Sequence, residues 1–427
     1  MIDLKRLRQD PEGSRASLLR RRDPSVGPLL DDILALDRER RERLVRVEAL
    51  KAERNAASQE VARRKRAGEP ADELMARQRT SGEDVKLLDG ELRAIEGRLD
   101  ELVLALPNFP TRDTPEGDAA ANRVVRTCGE PPTFDFAPRP HWELGAALGI
   151  LDLPAGAKLA GSGFPLLRGP GARLVRALSA FMLDLHTREH AYEEIAPPYL
   201  ANRASLVGTG QLPKFEDDLY AVPSDDLFLI PTAEVPLTNI HRDEILDAAD
   251  LPRGYCAWTP CFRREAGAHG KDTRGLIRVH QFDKVELVRF SRPEDAEAEH
   301  TRMTGHAETV LRRLGLPYRV LELAAGDLGF ASARTYDLEV WAAGIGGWLE
   351  ASSSSNFTDF QARRANIRYR PAAGARPEFV HTLNASGVAF PRTIIALLEN
   401  YQAADGSVRV PDALVPYLGV DRLAPRA

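Results

Sequence analysis

The chain has 427 residues, 43% of them hydrophobic and 28% charged, with a formal net charge of -5. That balance fits a globular chain long enough for two domains and excludes a wholly basic nucleic-acid binder, so any anion contact has to come from a local patch. Cys128, Cys256 and Cys261 match neither a disulfide framework nor a zinc-ligand spacing. No run approaches membrane-spanning length and MIDLKRLRQDPEG has no apolar leader core, so a cytoplasmic protein with no membrane contact is expected.

Residues 1–106 lack Phe, Trp and Tyr and are crowded with Arg, Glu, Leu and Ala. From Val85 the apolar positions Val85, Leu88, Leu92, Ile95, Leu99, Leu102 and Leu106 alternate by three and four, the seam of a coiled coil. The segment 29–66 is helical with a looser seam through Leu30, Ile33, Leu44, Val47 and Val61, and RAGEPADE, with Gly68 and Pro70, is the turn between the two. The spacing predicts an antiparallel helical hairpin over 29–106, an arm roughly 50–60 Å long at 1.5 Å per residue. Two helices bury one narrow stripe, so this arm is no enzyme core. ARRKRAG sets Arg63, Arg64, Lys65 and Arg66 together near the tip, with Arg54 further down the same helix. Such a patch suits a polyphosphate backbone, and equally suits the solvated outer face of a coiled coil.

LPNFPTRDTPEG breaks helical propagation at Pro107, Pro110 and Pro115, so 107–120 is a linker and 121–427 a second domain. There GARLVRALSAFMLDLHTREHAYEEIAPPYL predicts an amphipathic helix through Leu174, Leu178, Phe181, Met182 and Leu185, then a strand. LFLIPTAEVPLTN, RTYDLEVWAA, WLEASSSSNFTDFQARR and FVHTLNASGV are further strand candidates. Many of the connections are too short for helical crossovers between parallel strands. The expected fold is therefore α+β: a coiled-coil arm, then a mostly antiparallel sheet flanked by helices. Neither G-x-G-x-x-G nor GxxxxGK[ST] occurs, so a bound nucleotide would rest on sheet side chains.

FRREAGAHGKDTRGLIRVHQFDKVE, 262–286, carries Arg263, Arg264, Lys271, Arg274, Arg278 and Lys284 around a glycine-punctuated loop. CAWTPCF before the loop and LIRVHQFDKVELVRF after it read as paired strands. Guanidinium groups on such a hairpin form paired, charge-assisted hydrogen bonds with phosphate. A solvated surface loop would have the same composition.

The hairpin resembles motif 2 of a class II aminoacyl-tRNA synthetase in its seryl form. HTLNASGVAFPRTIIALLENYQ resembles motif 3, and the segment 171–198 resembles motif 1. PTAEVPLTN at 231–239 is similar to that family's serine-binding loop, and EASSSSNFTDFQARR at 350–364 to its ATP-side strand. With the arm and HWELGAALGILDL, the resemblance to bacterial-type seryl-tRNA synthetases covers essentially the whole chain. It implies ATP-dependent attachment of serine to tRNA(Ser) through a seryl-adenylate, with tRNA(Sec) a further acceptor, ATP as substrate and Mg2+ as cofactor. It also implies a homodimer built on motif 1, and recognition of tRNA by Arg54, Arg63, Arg64, Lys65 and Arg66 of the arm.

The same resemblance assigns the site. Arg263 meets the α-phosphate and Arg392 the γ-phosphate side of a bent ATP. Arg264, Glu265, Val279, Ala351 and Ser352 complete the nucleotide site, with Glu265 accepting from the adenine amino group. Glu350 and Ser353 belong to the ATP site and ligate magnesium, and Thr232, Ala233, Glu234, Glu286 and Ser386 hold serine. From the residues alone, Glu286 could instead pair with Lys284 on the same strand face. The loop AHGKDTRG meets the tRNA acceptor end, with Asp272 bracing it. The chain departs from the family pattern at Gly163, Leu349, Ser354, Ala385 and Pro391. Two other readings remain open here: a specialised paralogue serving another pathway or resisting a serine-like inhibitor, and a non-enzymatic RNA-binding coiled-coil protein.

Overall fold

The computed structural model describes residues 1–266 and 274–425. Lys271, Asp272 and most of the hairpin loop expected to meet a tRNA end lie outside the described residues. The chain divides into two compact units, one of Ile2–Leu19 with Asp23–Pro107, the other of Met1 with Arg20–Arg22 and Asn108–Ala427.

In the first unit, helices α1 (Val26–Ala67) and α2 (Asp72–Ala105) form the hairpin. Gly68 ends α1 at φ 69, a left-handed conformation that glycine adopts without a Cβ penalty. Pairs across the two helices run in opposite senses, Arg40 with Glu96 at 3.5 Å and Lys51 with Asp89 at 2.9 Å, so the arrangement is antiparallel. Leu30, Ile33, Val47, Val61, Val85, Leu88, Leu92 and Leu99 are buried as the seam requires. Leu44, Ile95 and Leu102 are only half-buried, and Val103 is buried where Leu102 was expected. A 3.6-residue turn drifts off a 3.5-residue repeat, and Val103 is where that drift shows.

In the second unit the main sheet has eight strands among the described residues: β1 (Arg123–Cys128), β2 (Glu193–Glu194), β3 (Arg253–Phe262), β4 (Gln281–Ser291), β5 (Tyr318–Glu322), β6 (Arg334–Ala342), β7 (Gly347–Asn356) and β8 (His381–Ala389). Their order is β1-β5-β6-β7-β8-β4-β3-β2, antiparallel throughout except for the short β2 beside β3. Helices α3 (His141–Ala147), α4 (Pro170–Arg188), α5 (Ala296–Arg313) and α6 (Phe390–Asn400) accompany it. Leu178 and Met182 of α4, Val310 and Leu311 of α5, and Ile394 and Leu398 of α6 share one core with Val285, Val320 and Leu338 of the sheet. Side chains alternate along a strand, so with Val285 in the core, Lys284 and Glu286 face the other way.

Three expected strands change. LFLIPTAEVPLTN is strand only over Leu227–Leu229, and Glu234–Asn239 is a helix. β7 stops at Asn356, and Phe360–Ala365 is a helix. The strand after the cationic loop begins at Gln281 rather than Leu276, because groups just before it are bonded outside the sheet: the Leu276 N–H to His141 Nε2 at 2.9 Å, the Ile277 carbonyl to Arg392 Nε at 3.3 Å.

Arg21 is buried in the second unit and donates to the carbonyls of Asn108, Leu328, Gly329, Phe330 and Ser332. Burial alone pulls its pKa down to about 9. Replacing Arg21 with Met strands these acceptors, and urea unfolding should show a loss of about 3 kcal/mol. Lysine should not restore it, since an ammonium lacks the fork that spans several carbonyls.

Candidate active site

The sheet face opposite the core carries a cavity of about 720 Å³. Its floor is a closed polar network. Gln361 Nε2 donates to Glu234 Oε1 at 2.6 Å, and Asn384 Nδ2 donates both to Glu234 Oε2 at 2.9 Å and to Glu286 Oε1 at 3.0 Å. Thr232 Oγ1 donates to Glu286 Oε2 at 3.2 Å and accepts from Lys284 Nζ at 2.9 Å and from the Glu234 N–H at 3.2 Å. Lys284 is also ion-paired with Glu286. The two buried carboxylates therefore share the Asn384 amide, while the one ammonium is paired with Glu286. Burial, and then the charge of Glu286, push the Glu234 carboxyl up to about 7.

The walls are cationic. The Arg263 guanidinium lies 5.2 Å from the Phe282 ring centre, and its Nε donates to the Pro231 carbonyl at 3.2 Å. Arg278 is ion-paired with Glu265, whose backbone sits at φ 52, a sparsely populated region for a non-glycine residue. Arg392, in the first turn of α6, donates to the Glu350 carbonyl at 2.6 Å and lies 3.3 Å from its carboxylate. Pro391 beside it costs no hydrogen bond, because first-turn N–H groups have no helical partner.

Two register shifts aim the strand residues. Glu350 and Ser353 stand three apart and on a regular strand would face opposite ways. Leu338 pairs with Ser352 and Glu339 with Glu350, so the extra residue Ala351 is a bulge that turns both into the cavity. On β8 the pairing shifts between Ser386 and Ala389, and Val388 there has φ 127, strained for a β-branched residue.

Of the residues expected from the sequence, Thr232, Glu234, Arg263, Glu265, Val279, Glu350, Ala351, Ser353, Ser386 and Arg392 line this one cavity. Ala233 is buried in a core, and Ser352 turns away, its Oγ donating to the Ser386 carbonyl at 2.5 Å. Glu286 is fully buried under Thr232 and Lys284. Arg264 is exposed, its N–H bonded to the Asp218 carbonyl. Arg274 stacks on Trp142, 4.4 Å from the ring centre. Glycine at 163 is required locally: φ is 82, and a Cβ there would meet His280 at 2.4 Å. On the arm, Arg63 and Arg64 are braced by Glu60 at 2.8 and 2.9 Å, while Arg54, Lys65 and Arg66 make no ion pair among the described residues. The sequence reading missed Gln361 and Asn384. Asn384 stands two before Ser386, a period-two signal that could have found it; Gln361, on a short helix far along the chain, offered none.

An antiparallel sheet that sets arginines from a hairpin and from a helix start around one cavity is the core of a class II aminoacyl-tRNA synthetase. Residues 214–401 match the class II core domain of the G, H, P, S and T synthetases, and residues 1–110 match the seryl-tRNA synthetase N-terminal domain. A serine–tRNA ligase of Gemmatimonas aurantiaca is 57% identical over 98% of this chain and 99% of its own. A seryl-tRNA synthetase of Pyrococcus horikoshii, solved with ATP, superposes with a TM-score of 0.96 at 38% identity over 100% of both chains. A cytoplasmic serine–tRNA ligase of Naegleria fowleri, solved with AMP, gives 0.87 at 29% identity over 98% of this chain and 97% of its own. The chain belongs to the seryl-tRNA synthetase family. No helix among the described residues is long and apolar enough to cross a membrane.

The raised Glu234 value has a testable sign. Between the ordinary carboxylate value of 4.5 and about 7, the folded protein holds a proton that the unfolded chain has lost. Its contribution to stability therefore falls as pH rises through that window. Melting temperatures of the ligand-free protein across this range should decline with pH, and Glu234→Gln should flatten the decline.

Proposed function

We propose that the protein attaches serine to tRNA(Ser), and to tRNA(Sec), in two steps through a seryl-adenylate. The observation that carries this reading is that one cavity joins a carboxylate floor to two arginines. Lys284 is ion-paired with Glu286, while the Glu234 carboxyl has amide hydrogen bonds and no ion pair among the described residues. An amino-acid ammonium supplies that partner and draws Glu234 into its ionised form. Glu286, in contact with Thr232 and Asn384, gives the pocket its acceptor for a substrate hydroxyl, and an amino acid without that hydroxyl leaves a buried acceptor unpaired.

In the first step the serine carboxylate attacks the α-phosphorus of ATP and pyrophosphate leaves. In the second, the terminal ribose hydroxyl of the tRNA attacks the activated carbonyl and AMP leaves. Neither step needs a covalent enzyme intermediate; both need two anions aligned and developing charge stabilised. Arg263 meets the α-phosphate and Arg392 the γ-phosphate end, with Glu265 at the adenine amino group and Val279 and Ala351 on the walls. Arg392 is held by Glu350 in the free protein and exchanges that partner for phosphate.

Glu350 and Ser353 would hold Mg2+. Two hard oxygen donors on one face fit a cation that takes its other ligands from phosphate and water, and no cluster of three acidic, His or Cys groups suited to a metal occurs among the described residues. Behind them Asp337, paired in register with Ser353, has a buried oxygen without a hydrogen-bond partner, and burial and the Glu350 charge hold its carboxyl well above the usual range. A bound divalent cation would neutralise phosphate charge. The arm, with Arg54, Arg63, Arg64, Lys65 and Arg66, is the tRNA-binding domain and reads tRNA by shape and backbone, 107–120 is the linker, and the protein works in the cytoplasm as a homodimer through 171–198.

Purified protein given serine, ATP, Mg2+ and total tRNA should form seryl-tRNA. Arg263→Ala should lower serine-dependent ATP–pyrophosphate exchange by about a hundredfold or more. Deleting residues 30–105 should abolish charging while leaving that exchange intact. No charging by folded protein would defeat the reading in favour of a paralogue with another acceptor. The KM for serine should rise as pH falls below about 7, because protonated Glu234 cannot pair with an ammonium.

A further inference from the structure

We propose that His141 is a positioning residue for the nucleotide side of the site, clamping the foot of the cationic loop to helix α6. The proposal rests on the function proposed above. His141 opens α3 and is fully buried. On one side its backbone N–H donates to Glu399 Oε1 at 2.8 Å, and its Nδ1 lies 2.8 Å from the same oxygen. Glu399, also buried, sits near the end of α6, and its other oxygen accepts from the Gly344 and Ile345 N–H groups at 2.8 and 3.0 Å, in the turn between β6 and β7. On the other side, His141 Nε2 lies 2.9 Å from the Leu276 backbone nitrogen.

That last contact settles the tautomer. A peptide N–H can only donate, so Nε2 must offer its lone pair, and the ring hydrogen sits on Nδ1, facing the carboxylate. The imidazole thus has one arm in the scaffold and one in the loop. The loop foot is held at three successive residues: Arg274 stacks on Trp142, Gly275 passes against the imidazole, and Leu276 donates to it. Gly275 has φ 68, and a Cβ there would come within 2.2 Å of His141 Nε2. The next residues, 277–279, line the cavity, and the Ile277 carbonyl also accepts from Arg392. Glu399 belongs to the same helix as Arg392, so one carboxylate and one imidazole set the spacing between that arginine and the loop that faces it.

The two ring nitrogens can be tested separately. Asn at 141 keeps an amide N–H where Nδ1 stands and has no atom at Nε2; Gln places a carbonyl oxygen near Nε2 and gives up the Nδ1 arm. His141→Asn strands the buried Leu276 N–H, so it should melt lower and raise the KM for ATP in pyrophosphate exchange by about tenfold, with the KM for serine within about twofold. His141→Gln should melt lower yet keep the ATP KM near the parent's. Gly275→Ala attacks the same contact from the loop side: at φ 68 and with the imidazole in the way it should melt lower as well, and raise the KM for ATP while the KM for serine stays within about twofold. The clamp is refuted if His141→Asn leaves the ATP KM unchanged, or if all three variants lose stability and raise both KM values in parallel, which is what a purely structural histidine would do. If the parent chain itself shows no exchange, the function reading falls first and the clamp falls with it.

Discussion

The site depends on one constraint: two carboxylates, Glu234 and Glu286, are buried side by side and cannot remain there unpaired. Removing an ionised carboxylate from water costs several kcal/mol, recovered only when hydrogen bonds and opposite charge surround it. Here the partners come from four places in the chain: Thr232 before a short helix, Lys284 on β4, Asn384 on β8 and Gln361 from the helix after β7. Each is useful only if the strands carrying it are in one register, and the pairing of Ser386 with Glu286 is that register. The network and the sheet alignment therefore enforce each other.

Glu234 meets amides but no ion pair among the described residues, which leaves its carboxyl open to a cation. A site built of neutral donors would hold an amino acid by shape alone. Burial and the neighbouring Glu286 charge push the Glu234 carboxyl up to about 7, and a cation placed beside it would favour its ionised form. Above it the sign reverses, with Arg263 free of carboxylate partners among the described residues and Arg392 lightly held by Glu350. A molecule with an ammonium at one end and a polyphosphate at the other matches that gradient. Bulges on the adjacent strands β7 and β8 aim the donors into one space, and the strained Val388 marks the local cost of doing so.

Local pattern made much of this legible. The three-and-four alternation from Val85 specified the second long helix and its seam to within the drift from Leu102 to Val103, and Gly68 specified the turn. The apolar stripe through Leu178 and Met182 specified α4. Ten of the expected site residues share one cavity, because short motifs keep side chains of set type at set spacing. Where PTAEVPLTN and SSSSNFTDFQARR were expected to continue as strands, they turn into short helices, since β propensity gives way once the backbone groups find partners elsewhere.

What the sequence determined by itself, then, was the two-part organisation and the type of most elements, which follow from periodicity and residue type close along the chain, while the class of the site came from the resemblance of its motifs to a known family. Tertiary structure alone decided which residues meet. Glu350 and Ser353 stand three apart on one strand, yet a single-residue bulge at Ala351 brings both to the cavity. Gln361 joins the floor from a helix that no local signal ties to it. His141, 135 residues before Leu276, reaches the loop foot because α3 packs against α6. Such pairings depend on distances set by packing, and sequence spacing does not carry them.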